Sequence, residues 1–162
     1  MISKNLMMAF HNSHSRKAVK YFADTCIGLG CKNVIFSKIT ASAASIGIPD
    51  AQKAILNARG NLLFFSDVKS ILEVLHPHKI YLLVSRKYGE SSIPFKEIIS
   101  ELKVGKVLVV VGGTSPGLTR KELDLGKCIF VDEVETDVNP IALTALFLGG
   151  LTRVVKDSSI LE

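Results

Sequence analysis

The sequence predicts a single α/β domain with a mostly parallel sheet and helices on both faces. Short apolar, β-branched stretches alternate along the chain with segments whose apolar residues recur at helical spacing. The run Val107–Val111 shows no polar alternation, which is typical of a strand covered on both faces. The 162 residues are enough for one domain with one large core, and no linker or repeat divides them. Residues 1–162 are therefore predicted to form one domain.

In the first half of the chain, three apolar strands are each followed by a segment with helical or loop character. The strands are predicted at residues 6–10, 34–36 and 62–65. Helical spacing runs from Arg16 to about Leu29, and Gly30 follows it as a left-handed cap. The small, polar segment 38–47 is predicted to be a loop or a loose helical turn. A second helix is predicted to begin at Pro49 and to end at Gly60. A third is predicted to be capped by Asp67 and to end before Pro77.

The second half continues the alternation and ends in two loops and one apolar helix. Strands are predicted at residues 80–84, 107–111 and 128–131, and a helix is predicted to begin at Ser91 and Ser92. Glycine and polar residues follow the middle strand at 112–117, and an acidic loop follows the last strand at 132–137. Asn139 is predicted to cap the final helix, with Pro140 at its first position, where a missing N–H is tolerated.

Composition narrows the class of protein. The hydrophobic fraction is 48% and the mean hydropathy is +0.33. No apolar run reaches the roughly 18 residues needed to span a bilayer, and the N-terminus does not resemble a signal peptide, so we expect a cytoplasmic protein without a membrane partner. Three cysteines at uneven spacing argue against a disulfide framework or a zinc site and favour core thiols. The net charge of +5 permits nucleic-acid binding.

Three strand ends are expected to meet at one edge of the sheet. They are Val84–Ser85, Val111–Gly113 and Val131–Asp132. In open α/β sheets, ligands bind at the carboxyl ends of the strands, and glycines there allow close backbone approach. The glycine loop lacks the Gly-Lys-Ser/Thr ending that supplies a charge to phosphates, so a phosphate-cradling loop is disfavoured.

The order of these features resembles the SpoU-like family within the SPOUT, or α/β-knot, class of RNA methyltransferases. The matching residues are Gly112, Gly113 and Gly117, the strand 129–131, and Val138–Asn139 before an apolar helix. The resemblance covers about residues 79–155. It implies a C-terminal trefoil knot, which hydrophobic periodicity cannot show, and S-adenosylmethionine as the cofactor. The implied cofactor-binding residues are Val84, Ser85, Val111, Gly112, Gly113, Thr114, Gly117, Phe130, Val131, Asp132, Val138 and Ile141.

Two catalytic candidates follow from the same resemblance. Asn139 lies in the loop that in the family closes over the cofactor, although a plain helix cap explains it equally well. Arg16 is the nearest substitute for the family's arginine, because Asp24 falls at the matching position. Gly113–Thr114 also replaces the family's Asn-Glu. These departures favour an alternative, a non-catalytic protein of this fold that binds cofactor or RNA.

Two further features suggest partners. Basic residues near strand ends would line one rim of the sheet, where an RNA backbone could approach, although each pair is also an ordinary solvated surface. These residues are Arg86, Lys87, Arg120 and Lys121. The helix 141–151 is apolar nearly all round, which predicts burial on more than one side, most simply against a second copy in a homodimer.

The acidic loop opens a third possibility. Residues 132–137 carry four carboxylates, which could hold Mg²⁺ in a nuclease, although a solvated loop is the simpler interpretation. No metal is expected on this basis. The resemblance to the SpoU-like family implies an S-adenosylmethionine-dependent methyltransferase that acts on tRNA or rRNA as a homodimer. The alternatives are the non-catalytic binding protein and, third, a metal-dependent nuclease.

Overall fold

A computed structural model describes residues 4–114 and 117–160, and a parallel sheet lies at their centre. Within these residues the sheet has seven strands in the order β3-β2-β1-β6-β4-β7-β5. The strands are β1 Leu6–Ser13, β2 Asn33–Ile39, β3 Asn61–Phe65, β4 Lys79–Leu83, β5 Ser91–Ser92, β6 Val107–Gly112 and β7 Lys127–Phe130. Every paired neighbour runs parallel. The predicted α/β class with a parallel sheet is confirmed.

Six α-helices lie within the described residues, five of them between strands and the sixth after the last strand. They are α1 Arg16–Gly28, α2 Ile48–Asn57, α3 Val68–Leu75, α4 Phe95–Val104, α5 Arg120–Leu123 and α6 Pro140–Ile160. Ser15 Oγ accepts a hydrogen bond from Ala18 N at 3.2 Å, and Asp67 Oδ1 accepts one from Ser70 N at 2.7 Å. Gly30 follows α1 with φ 86°. Local capping chemistry thus fixes where α1 and α3 begin.

The structure corrects the predicted elements in a few places. Ser91–Ser92 form the short strand β5 beside β7 instead of starting a helix, and α4 begins only at Phe95, after Pro94. The segment 38–47 contains a π-helical turn, Ala43–Gly47, that runs directly into α2. Two pieces were not predicted, α5 and a single 3₁₀ turn at Arg86–Tyr88, because three or four residues are too few to show a period.

The sheet is covered on both faces, and more thickly on one. On the thicker face, β1 and β2 pack against α1, and the rings of Phe10 and Phe22 stack with centroids 4.8 Å apart. The other face packs Leu108 and Val110 of β6 against Ile71 of α3. Because β6 is buried on both faces, its uninterrupted apolar run is explained.

Helix α6 packs its apolar side chains against other helices of the same chain. Phe147, Leu148 and Leu151 are fully buried, and the helix contacts both α1 and α4. A Cβ at Gly150 would lie 2.5 Å from Cζ of Phe95, so this glycine admits a ring of the same chain. Packing within one chain therefore accounts for a glycine at this position. Leu146 remains 43% exposed, and the homodimer stays a prediction.

The three cysteines are free thiols in buried positions, as the sequence suggests. Burial raises the pKa of Cys31 to about 11 and raises that of Cys26 well above its usual value, so both are inert at neutral pH. Across the described residues, we find no helix that combines the length and the apolar character needed to cross a membrane. The threading of a trefoil knot also stays a prediction.

Candidate ligand-binding site

A cavity of about 360 Å³ opens where β4 and β6 end side by side. Leu83 pairs with Val111 in the parallel register, so both strands stop at the same level. The loop after β6 and the first residues of α6 form the other walls. The cavity is lined by Leu83, Val84, Ser85, Lys87, Tyr88, Val111, Gly112, Gly113, Thr114, Gly117, Leu118, Leu123, Asp137, Val138, Asn139, Pro140 and Leu143. A volume above about 300 Å³ and a mixed apolar and polar lining are typical of small-molecule sites.

The glycines of this loop are required by the packing of the chain on itself. A Cβ at Gly113 would lie 2.9 Å from Asn12 O, and one at Gly112 would lie 2.8 Å from Cα of Gly117. Gly117 also has φ 78°, a conformation that side chains disfavour. Close backbone approach, which the sequence assigned to a ligand, is here an approach between segments of the same chain. Ser115 and Pro116 of this loop lie outside the described residues.

Asn139 begins α6 at the cavity wall. Its Oδ1 accepts a hydrogen bond from Ala142 N at 2.9 Å, which is the geometry of a helix cap. The predicted cap is thus observed, while a catalytic part for Asn139 stays a prediction. Leu143, one turn further along α6, faces the same cavity.

Charged side chains tie the 3₁₀ turn after β4 to the acidic loop. Lys87 Nζ lies 3.8 Å from Asp137 Oδ2. Arg86 Nη2 donates a hydrogen bond to Asp132 O at 2.6 Å and lies 3.7 Å from its Oδ1, and the Arg86 guanidinium lies 4.8 Å from the centre of the Phe130 ring. Two of the four basic residues that the sequence assigned to RNA, Arg86 and Lys87, therefore contact carboxylates of their own chain.

The structure brings most of the predicted cofactor residues together and separates others. Eight of the twelve line the cavity, and these are Val84, Ser85, Val111, Gly112, Gly113, Thr114, Gly117 and Val138. Asn139, which was predicted as a catalytic residue, lines it as well. Phe130, Val131 and Asp132 do not, because β7 pairs with the far side of β4 and leads into the acidic loop. Ile141 instead faces a second groove, between α1 and α6.

Several lining residues were missed. Leu83 and Leu143 were interpreted as core positions only, and Leu118, Leu123 and Tyr88 lie in short segments without a periodic signal. Asp137 was considered only as part of a solvated or metal-binding loop. Helical spacing from Asn139 to Leu143 was the one signal that could have placed a further residue at the cavity.

The remaining predicted residues lie on the surface. Arg16 is exposed at the start of α1, with Nη2 3.4 Å from Asp50 Oδ2, and it lines neither the cavity nor the α1–α6 groove. Arg120 and Lys121 are exposed on α5. Arg16 is therefore not placed beside the cavity in this structure.

A buried polar network that the sequence did not reveal lies beside the cavity. His11, two residues before the end of β1, has Nδ1 2.8 Å from Ser37 Oγ of β2 and Nε2 2.8 Å from Glu122 Oε1 of α5. Burial lowers the pKa of His11 below its usual 6.5, although Glu122 opposes that shift. Because His11 and Ser37 are almost fully buried, this trio ties α5 to the sheet and is closed to a substrate.

Among residues 4–114 and 117–160, no group of three or more His, Cys, Asp and Glu side chains is placed to hold a metal ion. In the acidic loop, Asp132 and Asp137 contact Arg86 and Lys87 as described above.

Comparison with known families gives an unexpected result. The family described as RecB-family nuclease (DUF2122) matches residues 41–150, a segment that contains every lining residue of the cavity. The chain belongs to this family. No lining residue comes from β1, α1 or β2, which lie outside the matched segment.

Two curated relatives carry names of the same kind. A protein named as a candidate type II restriction enzyme of Methanocaldococcus jannaschii is 29% identical over 152 residues, covering 94% of this chain and 99% of its own. Another, of Aeropyrum pernix, is 27% identical over 147 residues, covering 88% and 90%.

Solved structures instead resemble the chain through its fold. The SpoU methyltransferase AviRb from Streptomyces viridochromogenes, solved with the cofactor AdoMet, superposes with a TM-score of 0.71 at 12% identity, covering 96% of this chain and 63% of that one. The TrmH/SpoU tRNA modifying enzyme of A. aeolicus gives 0.66 at 15% identity, covering 96% and 78%. TrmJ from Z. mobilis gives 0.71 at 13%, covering 91% and 68%. The SPOUT-class resemblance in fold is thus confirmed.

These comparisons correct the predicted function. The family match and both curated relatives point to nucleases, so the prediction of an S-adenosylmethionine-dependent RNA methyltransferase is wrong. The nuclease, which the sequence ranked third, is the class that their names favour. One fold can carry sites of different chemistry, so the likeness in fold does not by itself indicate methyl transfer.

Proposed function

We propose that the cavity between β4, β6 and α6 binds an adenosyl ligand, with S-adenosylmethionine as the reference compound. The observation that carries this proposal is the position of the cavity, at the carboxyl ends of neighbouring parallel strands. In open α/β sheets this is where nucleotide-type ligands bind. A structure of the same fold solved with AdoMet supports the choice of ligand. Methyl transfer is not part of the proposal.

The lining suits such a ligand. Leu83, Val111, Leu118 and Leu143 offer apolar contacts for a purine and its ribose carbons, and Ser85 and Thr114 offer hydroxyl groups. Lys87 and Asp137 add one charge of each sign. An adenosyl amino acid has an aromatic base, a ribose and a charged end, so each part has a counterpart among these side chains.

Calorimetric titration with S-adenosylhomocysteine tests the proposal. We expect micromolar affinity in the wild type and loss of binding in Ser85→Phe, because Ser85 lines the cavity and a ring there would occupy it. Ser100→Phe is the matched control, since Ser100 is exposed on α4 and lines neither the cavity nor the α1–α6 groove. Absence of heat at millimolar ligand with folded wild-type protein would reject the proposal.

The second candidate function is cleavage of DNA in the cytoplasm. The family description and the names of the two relatives favour it. Arg120 and Lys121 are exposed on α5, whose Leu123 lines the cavity, so nucleic acid that approaches the cavity would meet both charges. The two candidates are compatible, because a bound adenosyl ligand could accompany either binding or cleavage of nucleic acid.

Incubation of pure protein with plasmid DNA, with and without Mg²⁺ and S-adenosylmethionine, tests the second candidate. Cleavage in any of these mixtures that Arg120→Ala with Lys121→Ala weakens would support it. Binding of S-adenosylhomocysteine without cleavage under all conditions would leave the chain as an adenosyl-ligand-binding member of this family.

A further inference from the structure

We propose that Lys87 and Asp137 recognise the zwitterionic amino-acid end of the ligand, so that the site selects adenosyl amino acids over bare nucleosides. This inference rests on the proposed function and names the ligand class more narrowly. Lys87 lies on the 3₁₀ turn after β4, and Asp137 lies on the loop before α6. Their side chains therefore reach the mouth of the cavity from two different walls.

The first argument is the charge of the cavity. Among its lining residues in the described parts of the chain, Lys87 and Asp137 carry the only formal charges, and all others are apolar or neutral. One cation and one anion, whose Nζ and Oδ2 are 3.8 Å apart, complement a group that carries an ammonium and a carboxylate on one carbon. A nucleoside without the amino acid has no charge to match either side chain.

The second argument is energetic. Both side chains are largely exposed, at 62% for Lys87 and 71% for Asp137, so their mutual ion pair contributes little to stability. A zwitterion placed between them would give each side chain a charged partner and would keep the charges balanced. Exchange of one weak pair for two charge-assisted contacts is therefore favourable for this ligand class.

The third argument is that the exchange leaves the two walls connected. Arg86 and Asp132 join the same turn and the same loop, with a hydrogen bond of 2.6 Å to the Asp132 carbonyl oxygen and an ion pair of 3.7 Å. Neither residue lines the cavity. The Arg86–Asp132 contact can therefore hold the loop while Lys87 and Asp137 turn to a ligand.

This arrangement also supplies a matched control. Asp132→Asn removes an ion pair between the same two segments as Asp137→Asn does, but it changes no lining group of the cavity. The two ligands to compare are S-adenosylhomocysteine and 5′-methylthioadenosine. They share the adenosine and the sulfur, and the second lacks the amino acid.

Calorimetric affinities of wild type, Lys87→Gln, Asp137→Asn and Asp132→Asn for both ligands test the inference. We expect the wild type to bind S-adenosylhomocysteine about tenfold tighter than 5′-methylthioadenosine, which corresponds to about 1.4 kcal/mol. Lys87→Gln and Asp137→Asn should each remove most of that preference by weakening S-adenosylhomocysteine alone. Asp132→Asn should leave both affinities unchanged. Added salt should weaken S-adenosylhomocysteine in the wild type and leave 5′-methylthioadenosine unaffected.

Three other outcomes would contradict the inference. Equal affinities of the wild type for the two ligands would overturn the inference and leave adenosyl binding in place. A parallel loss of both ligands in Lys87→Gln and Asp137→Asn would show that their ion pair only closes the mouth, and would overturn it as well. If folded wild-type protein binds neither ligand, the proposed function fails, and the inference fails with it.

Discussion

The carboxyl edge of the sheet is built in two different ways on either side of the β1–β6 pair. On the β1–β2 side, His11 and Ser37 fill the strand ends with buried, hydrogen-bonded side chains. On the β6–β4 side, the strand ends leave a cavity of about 360 Å³. The same sheet edge is therefore closed in one half and open in the other.

The register explains the difference. His11 pairs directly with Gly112, so a large polar side chain in one strand stands beside a position without a side chain in the next. Gly113 continues this and lets the loop pass against Asn12 O. The candidate site therefore lies where glycines leave space beside His11. On the other side, the contact of His11 with Glu122 holds α5, which follows the loop of the site.

The largest expected effect on stability comes from adding a side chain at Gly113, between the closed and the open half of the sheet edge. In Gly113→Val, a Cβ would lie 2.9 Å from Asn12 O and 2.9 Å from Ser13 Cβ, so we expect the free energy of unfolding to fall by about 3 kcal/mol. Urea unfolding measures this. Gly149→Ala is the control, because a Cβ there meets nothing within 4 Å and should stabilise the helix by about 0.5–1 kcal/mol. Wild-type stability in Gly113→Val would show that the loop is free to move away.

A smaller effect concerns the closed half. The pKa of His11 is lowered by burial, against the opposing charge of Glu122, while Lys38 lowers it further and Asp67 raises it. Below pH 6.5 the unfolded chain therefore binds more protons than the folded one, and the free energy of unfolding should fall as pH decreases from 6.5 toward the folded pKa.

Thermal or urea unfolding between pH 5 and 8 measures this slope, with these pH limits being about the range in which histidine titrates. His11→Gln should flatten it, because the variant has no titrating ring. His14→Gln is the control, since His14 is exposed directly after β1. An equal slope in wild type and His11→Gln would mean that another group accounts for the pH dependence.

The smallest effect on folding is expected at the solvent-facing groove between α1 and α6. Tyr21 of α1 is 51% exposed there, and Leu146 of α6 is 43% exposed one turn after Ala142, which lines that groove. We expect a homodimer near twice 17.6 kDa by light scattering. Leu146→Glu should give a folded monomer, because a carboxylate would be buried in the interface.

Val104→Glu is the matched control for the dimer. Val104 is also apolar and more exposed than Leu146, at the end of α4, so its replacement should not change the oligomeric state. A wild-type protein that is monomeric at micromolar concentration would show that the homodimer prediction is wrong. The cavity itself would be unaffected, because a single chain supplies its lining residues.

Much of the fold could be predicted from local signals. Apolar runs, helical spacing and the Asp67 cap indicate the strand Val107–Gly112, the helix Val68–Leu75 and most of the strand Leu6–Ser13, which extends three residues beyond its predicted end. Ser91–Ser92 were predicted wrongly, because two small polar residues before Pro94 look like a helix start until β7 pairs with them. Short elements such as α5 carry too few residues for a period to show.

Local signals also predicted part of the candidate site. Residues next to the ends of β4 and β6 were found because polar and glycine residues directly follow apolar runs there. Phe130, Val131 and Asp132 were misplaced, since the sequence does not say which strand lies between β7 and the cavity. Lys87 and Asp137 are fifty positions apart, and only the folded chain brings their charges to one cavity mouth.

The sequence by itself determined the α/β class, the buried strand Val107–Gly112 and the cap at Asn139, because these depend on side-chain polarity and hydrogen bonds a few residues apart. Only the tertiary structure decided the strand order, the partners of His11 and the charge pair at the cavity mouth. Those features depend on contacts between distant segments, which hydrophobic periodicity does not encode. The chemistry of the site depends on such contacts, which is why the fold could be predicted correctly and the function could not.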